Sequence, residues 1–165
     1  MKPNVKELLE NQIVKEFESG YLYLNFSKYF TERGLAGFAN WFLVQAMEES
    51  DHAMKIFKYL QDERKEFTLG DIIMPRFNIT SDMDVLMQSL KHECYVTSLI
   101  NNIYEEAEAA GDKRTLNFLD WFIEEQAEEE RNAYDLIKKY DNFGEGSCLY
   151  FLDSELGERK YEPIK

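Results

Sequence analysis

Two glutamates and a histidine in the first half of the sequence interrupt stripes that are otherwise apolar. Glu16 precedes Glu49 by 33 residues, and His52 lies three residues after Glu49. Residues three apart on a helix share a face, so Glu49 and His52 can act on the same ligand. A buried carboxylate is costly unless something compensates its charge, and a bound cation is the simplest compensation.

The second half of the sequence repeats this spacing with a change of residue type. Glu93 precedes Gln126 by 33 residues, and Glu129 lies three residues further on. If each half folds as a helical hairpin, equal spacing places all these side chains at one height of a bundle. Carboxylates with one imidazole suit iron or manganese, whereas zinc more often recruits cysteine or further histidine. With 32 acidic residues any single match is easy to obtain, but the joint match predicts a two-metal site.

Long helices must position these side chains. Apolar residues that recur every three or four positions predict four long helices and one short one, over about 4–32, 35–64, 82–110, 113–140 and 147–156. Gly34 and Gly111 are expected to end the first and third helices, and Ser81 to cap the start of the third.

The segments between the predicted helices indicate the topology. Residues 66–80, which include Pro75, are long for a loop and predict a crossover that runs the length of the bundle. Two antiparallel hairpins joined by this crossover give an all-α four-helix bundle over 4–141, followed by the short helix over 147–156. With 165 residues the chain fits one domain, 1–165. The tail from Gly157 is polar and is expected to be frayed.

Composition and charge exclude several functional classes. The net charge of −13 argues against nucleic acid, whose phosphates require a basic surface, and against anionic membranes. No apolar run approaches the roughly 18 residues of a membrane span. The polar start of the sequence predicts no signal peptide, so a cytoplasmic location is expected by default.

Three residues with reactive side chains are expected to lie outside the metal site. Cys94 and Cys148 are too few for a disulfide framework and lack metal-ligand spacing. Cys94 lies on a predicted helix and is expected to be a small buried residue. His92 adjoins Glu93 but is turned by about 100° around the helix, which predicts a place at the surface or an interface.

Longer segments around these residues resemble the haem-free bacterial and archaeal ferritins, over nearly the whole chain. The segments are Glu16 with Tyr23, E-E-S-D-H from Glu48 to His52, K-H-E from Lys91 to Glu93, and F-L-D-W-F-I-E-E-Q-A-E-E-E from Phe118 to Glu130. The resemblance implies a ferritin-like fold in which Glu16, Glu49 and His52 hold a first iron. Glu49 would bridge to a second iron held by Glu93 and Glu129.

The resemblance also implies roles for neighbouring residues. Gln126 resembles a glutamine that hydrogen-bonds near the two irons or binds weakly. Tyr23 resembles a tyrosine beside the centre, and either an electron-donating role or that of a core aromatic residue fits it. A third iron site that shares Glu129 would use three further residues, which otherwise fit a plain acidic surface: Glu48, Glu125 and Glu128.

The activity implied by the resemblance is iron storage with ferroxidase activity. Fe²⁺ and O₂ or H₂O₂ would react at two irons per subunit, with a third iron at the extra site, in a homo-oligomeric cage of about 24 subunits. No haem is expected, since a bacterioferritin would have a second E-x-x-H at Gln126 and Glu129 and a haem-binding methionine at the position of Ser50. Animal ferritins line a pore with acidic residues where this sequence has Leu116 and Leu119, so their iron route does not carry over.

Two alternatives remain. A non-storage diiron-carboxylate oxidase or peroxidase of the rubrerythrin-like type would keep the metal site in a dimer, although the sequence lacks the CxxC-containing module of a rubrerythrin. A non-catalytic helical interaction protein would bind no iron and would leave the buried carboxylates without a partner.

Overall fold

The computed structural model describes residues 1–74 and 77–164, so Pro75 and Arg76 of the predicted crossover lie outside the described residues. Within these ranges the chain forms five α-helices and no strand, which confirms the all-α prediction. The helices are α1 (Pro3–Glu32), α2 (Ala36–Asp62), α3 (Asp82–Ala109), α4 (Lys113–Phe143) and α5 (Gly146–Leu156). None of these described helices combines the length and the apolar composition that crossing a membrane requires.

The helix ends follow the signals in the sequence. Gly34 and Gly111 adopt φ angles of +75° and +66°, the left-handed backbone that terminates a helix and favours glycine. Ser81 accepts a hydrogen bond from the backbone N–H of Asp84 at 3.1 Å, which confirms the predicted cap of α3. Most boundaries agree with prediction within two residues, but α4 continues three residues further, to Phe143.

The helices pack as two antiparallel hairpins, α1 with α2 and α3 with α4, and α1 also lies against α3. The crossover follows α1. The backbone N–H of Thr68 donates to Glu10 at 3.0 Å, and that of Ile73 donates to Glu18 at 3.2 Å. The described parts of the crossover therefore run along the bundle, as predicted from its length.

The apolar interior consists of two separate clusters. The first core is rich in aromatic rings, among them Phe26, Phe30 and Phe42. The second core contains aliphatic side chains such as Ile13 and Ile56. Between the two cores, each of the four long helices contributes buried polar residues that the sequence predicted as metal ligands or their neighbours. These residues form one polar layer in the middle of the molecule: Glu16, Glu49, His52, Glu93, Gln126 and Glu129.

The chain after α4 packs on α2. The carboxylate of Asp153 in α5 accepts a hydrogen bond from the backbone N–H of Phe38 at 3.0 Å, and α5 passes so close to Gly37 that a side chain there would collide with it. The prediction of a frayed tail after Gly157 was wrong. The hydroxyl of Tyr161 donates to Asp51 at 2.6 Å, and the side-chain amide of Asn40 in α2 donates to the backbone carbonyl oxygen of Arg159 at 2.9 Å.

The expectation that Cys94 is buried was also wrong, because its side chain is exposed on α3. Glu93 occupies the inner face of the helix, and the next residue is rotated by about 100° toward solvent. The apolar character of cysteine does not indicate whether Glu93 or Cys94 faces the interior.

Candidate metal centre

Glu16, Glu49 and His52 meet in the middle of the first hairpin. One ligand atom from each lies within 4.8 Å of the others, and all three side chains are buried. The close approach of α1 to α2 depends on Gly20, where an added Cβ would lie 3.2 Å from the carbonyl oxygen of Ala46. The small residue one turn after Glu16 therefore helps to bring the two helices' carboxylates together.

His52 also belongs to a second group, with Glu125 and Glu129 of α4, whose ligand atoms again lie within 4.8 Å of one another. Its Nδ1 is 3.3 Å from Glu49 Oε2, and its Nε2 is 3.6 Å from Glu125 Oε1. Neither contact has hydrogen-bond geometry. Among the described residues, both ring nitrogens and Glu16 Oε2 are thus buried without a hydrogen-bond partner. Buried polar atoms without partners are costly, and a cation bound among them would satisfy them.

Glu93 faces the same layer from α3 and is held by two neighbours. The hydroxyl of Tyr23 donates to Glu93 Oε1, and the amide of Gln126 donates to Glu93 Oε2 at 3.3 Å. The ring of Tyr23 also stacks on Phe42, so this residue contacts both the first core and the polar layer. The structure therefore places Tyr23 and Gln126 beside the carboxylates, as hydrogen-bonding groups of one of them.

Two glutamines that the sequence reasoning missed orient the other carboxylates. Gln12 donates to Glu16 at 2.9 Å. Gln45 donates to Glu129 at 2.7 Å and, more weakly, to Glu49 at 3.4 Å. Each glutamine precedes a site glutamate by four residues on the same helix. This spacing could have identified them, since side chains four apart are neighbours on a helix face.

The residues expected to form a third metal site are only partly assembled. Glu125 lies beside His52, as described above, and Glu129 is shared by both groups. The carboxylate of Glu48 is paired instead with Arg159 of the C-terminal tail. Glu128 is exposed and belongs to neither group of potential ligands found among the described residues.

Burial and mutual repulsion make several of these carboxyl groups weak acids. Burial, reinforced by the negative charge of Glu49, raises the pKa of Glu16 to about 8. The same two causes raise the pKa of Glu129 to about 8. Burial and the charges of Glu49 and Glu129 hold the pKa of Glu93 well above its ordinary value. Without a cation, Glu16 and Glu129 are therefore mostly protonated at neutral pH, and burial favours the protonated form of Glu93 as well.

Glu49 and His52 behave in the opposite way. Burial alone would raise the pKa of Glu49, but the adjacent imidazole outweighs it and lowers that pKa below its ordinary value. Burial alone would lower the pKa of His52, but the carboxylates of Glu125 and Glu49 hold it well above its ordinary value. Each member of the central pair thus favours the charged form of the other. Burial also raises the pKa of Tyr23 well above its ordinary value, and the charge of Glu93 adds to this effect.

Three remaining residues from the sequence prediction lie outside the metal groups. His92 is half-buried, with its Nε2 at 2.7 Å from the hydroxyl of Ser19 and its ring edge-on to Tyr23. Leu119 is fully buried in the second core, and Leu116 packs against that core from its edge. Neither leucine offers a polar group to a passing ion.

The comparisons with known proteins agree with this geometry. The family described as the ferritin-like domain matches residues 6–143. The chain belongs to this ferritin family. Bacterial non-heme ferritin of Campylobacter jejuni is 35% identical over 154 residues, which are 93% of this chain and 92% of the relative. The Staphylococcus aureus protein of the same name is 31% identical over 163 residues, 98% of both chains.

Solved ferritin structures also superpose closely on the chain. An engineered closed form of the Archaeoglobus fulgidus ferritin has a TM-score of 0.94 and 36% identity, covering 98% of this chain and 99% of that one. The open-pore ferritin of the same archaeon has a TM-score of 0.93 and 37% identity, covering 97% of this chain and 98% of that one. The resemblance to ferritins and the ferritin-like four-helix bundle with a short fifth helix are both confirmed.

Proposed function

We propose that this ferritin-family chain oxidises Fe²⁺ in its polar layer and stores the ferric product as a mineral inside a hollow homo-oligomer. The observation that carries the proposal is the buried group of Glu16, Glu49 and His52, whose ligand atoms converge and in part lack other partners. In a chain that belongs to the ferritin family, iron is the cation that best fits these donors.

The two halves of the layer would hold two substrate ions. Glu16 and His52 would bind the first Fe²⁺, Glu93 and Glu129 the second, and Glu49 would bridge between them. Anionic oxygen donors favour Fe³⁺ over Fe²⁺ and thus ease the loss of one electron from each ion. O₂ would accept the two electrons with two protons to give H₂O₂, and H₂O₂ could itself serve as the oxidant.

Gln12, Gln45 and Gln126 would keep the carboxylates oriented during this cycle, because each donates to at least one of them. Tyr23 lies against Glu93, where it either supplies an electron or only orients the carboxylate. The proposed centre has no fixed third iron, because Glu48 is paired with Arg159 and Glu128 is exposed.

Storage requires a closed assembly. The chain covers 98% of the Staphylococcus aureus non-heme ferritin, and its fold includes a short fifth helix. These similarities support a cage of about 24 subunits with closed symmetry.

The test combines Fe²⁺ oxidation with particle mass on one purified sample. We expect rapid oxidation of about two Fe²⁺ per chain in a cage-sized particle. Glu49→Ala should slow oxidation by at least about tenfold because it removes the bridging ligand. Glu105→Ala, which changes an exposed carboxylate of α3, is the matched control and should oxidise iron normally.

Each contrary result has a distinct meaning. Unchanged oxidation by Glu49→Ala would refute the assignment of the centre. Rapid oxidation in a dimer would retain the centre but reject storage, and would favour the rubrerythrin-like alternative. Absence of oxidation in every particle form would reject both.

A further inference from the structure

We propose that Arg159 of the C-terminal tail is a positioning residue of the metal centre and occupies Glu48 until a further cation displaces it. The inference rests on the proposed iron chemistry and deepens it. It assigns to the tail a role in setting how many cations the centre holds.

The guanidinium of Arg159 is held in place by several contacts. Its Nη2 pairs with the carboxylate of Glu48, and its Nη1 donates to Gln45 Oε1 at 3.0 Å. The guanidinium also lies 4.2 Å from the ring centroid of Trp41, a cation–π contact. The Arg159 side chain is only 16% exposed, so it is a fixed part of this surface.

The contact with Gln45 links the tail to the ligands. A side-chain amide has an accepting end and a donating end, and Arg159 takes the accepting end. The donating end therefore points inward, to Glu129 at 2.7 Å and to Glu49 at 3.4 Å. Arg159 therefore supports, from the outside, the orientation of Gln45 in which the amide N–H groups face the carboxylates.

The contact with Glu48 controls charge at the edge of the centre. Glu48 adjoins Glu49 in sequence, and its carboxylate is only partly accessible to solvent. A cation and a guanidinium compete for the same oxygens, so a third cation bound through Glu48 must displace the Arg159 side chain. The tail's backbone need not leave, because Asn40 donates to the Arg159 carbonyl oxygen at 2.9 Å and Tyr161 is anchored on Asp51.

Zn²⁺ titration by calorimetry on the metal-free, assembled protein tests the inference without any redox step. The variants are Arg159→Ala, Arg159→Lys and the control Tyr161→Phe, which loosens the tail at Asp51 but leaves the guanidinium in place. We expect Arg159→Ala to strengthen the weakest class of Zn²⁺ sites by about tenfold, since Glu48 then loses a charge-assisted hydrogen bond.

Arg159→Lys should keep that class near the wild-type affinity, because the positive charge beside Glu48 remains. Tyr161→Phe should also leave it unchanged. The gain should disappear when Arg159→Ala is combined with Glu48→Gln, which removes the carboxylate that the arginine occupied.

The outcomes separate this inference from the proposed function. If wild-type protein binds about two Zn²⁺ per chain tightly and oxidises Fe²⁺ but Arg159→Ala binds Zn²⁺ like wild type, the role of Arg159 is refuted. An equal gain in Tyr161→Phe would refute it too, since tail docking in general would then be the cause. If wild-type protein neither binds Zn²⁺ in the layer nor oxidises Fe²⁺, the proposed function itself fails.

Discussion

Binding of two divalent cations to the metal-free centre at pH 7 should release at least about two protons per chain. Metal ligands must be ionised carboxylates or neutral imidazoles, so every proton held in the layer has to leave. Zn²⁺ is a suitable probe because it has no redox chemistry of its own.

The expected number follows from the pKa shifts. Glu16 and Glu129 have a pKa of about 8 and are mostly protonated at pH 7. The pKa of Glu93 and that of His52 are also held above their ordinary values, so any protons on these groups add to that number. Glu49 contributes none, because its pKa is lowered. As the pH rises through about 8, Glu16 and Glu129 ionise before the metal arrives, and the release should fall by about two protons.

The assay is calorimetric Zn²⁺ titration in buffers of different ionisation enthalpy, since the dependence of heat on buffer gives the number of protons released. Glu16→Gln should release about one proton fewer at pH 7, because the amide has no proton to lose. The exposed control Glu105→Ala should match the wild type. Release near zero at pH 7 would refute the reasoning, because the carboxylates would then be ionised before the metal binds.

Two further predictions concern the scaffold. Asp82 accepts hydrogen bonds from Tyr29 at 2.8 Å and from Arg33 at 3.0 Å. Burial opposes the ionisation of Asp82, but these partners keep its pKa below the ordinary value. The ionised carboxylate therefore stabilises the fold above the ordinary pKa, and this contribution is lost as the pH falls below it. Asp82→Asn should lower the free energy of unfolding by about 1 kcal/mol at pH 7 and by less near pH 3, which thermal denaturation at the two pH values measures. An equal loss at both pH values would contradict the ion-pair account. Gly37→Ala would place a Cβ 1.5 Å from the carbonyl oxygen of Asp153 and should displace α5. Faster hydrogen exchange of the α5 backbone amides would report this displacement. Unchanged exchange of these amides would contradict the close packing.

The paired spacing made most of the centre predictable. Glu16, Glu49 and Glu93 interrupt apolar stripes on separate helices, and a polar residue on an inward face is informative because its burial is costly. The periodicity predicted the helices, and the short connections at Gly34 and Gly111 with the long segment 66–80 predicted the two hairpins and the crossover between them. The spacing of polar residues along the helices therefore predicts contacts wherever the partner residues lie at equivalent heights of packed helices.

Partners that are distant in sequence were not predictable in this way. Arg159 meets Glu48 across 111 residues, and nothing in the polar tail specifies where it docks. Cys94 was misplaced because its residue type is compatible with either side of α3. Glu48 fits a third metal site by sequence, and only the folded chain shows that an arginine occupies it.

The polar layer between the two cores also determines how the helices align. The apolar stripes of α1 and α2 would tolerate a slide by one turn, about 5.4 Å, because one aliphatic contact can replace another. Such a slide would move Glu16 among the side chains of an apolar core and away from Glu49 and His52 on α2. A buried carboxylate that has lost these partners disfavours that arrangement strongly. The polar residues of this layer thus also select one register among several similar apolar packings.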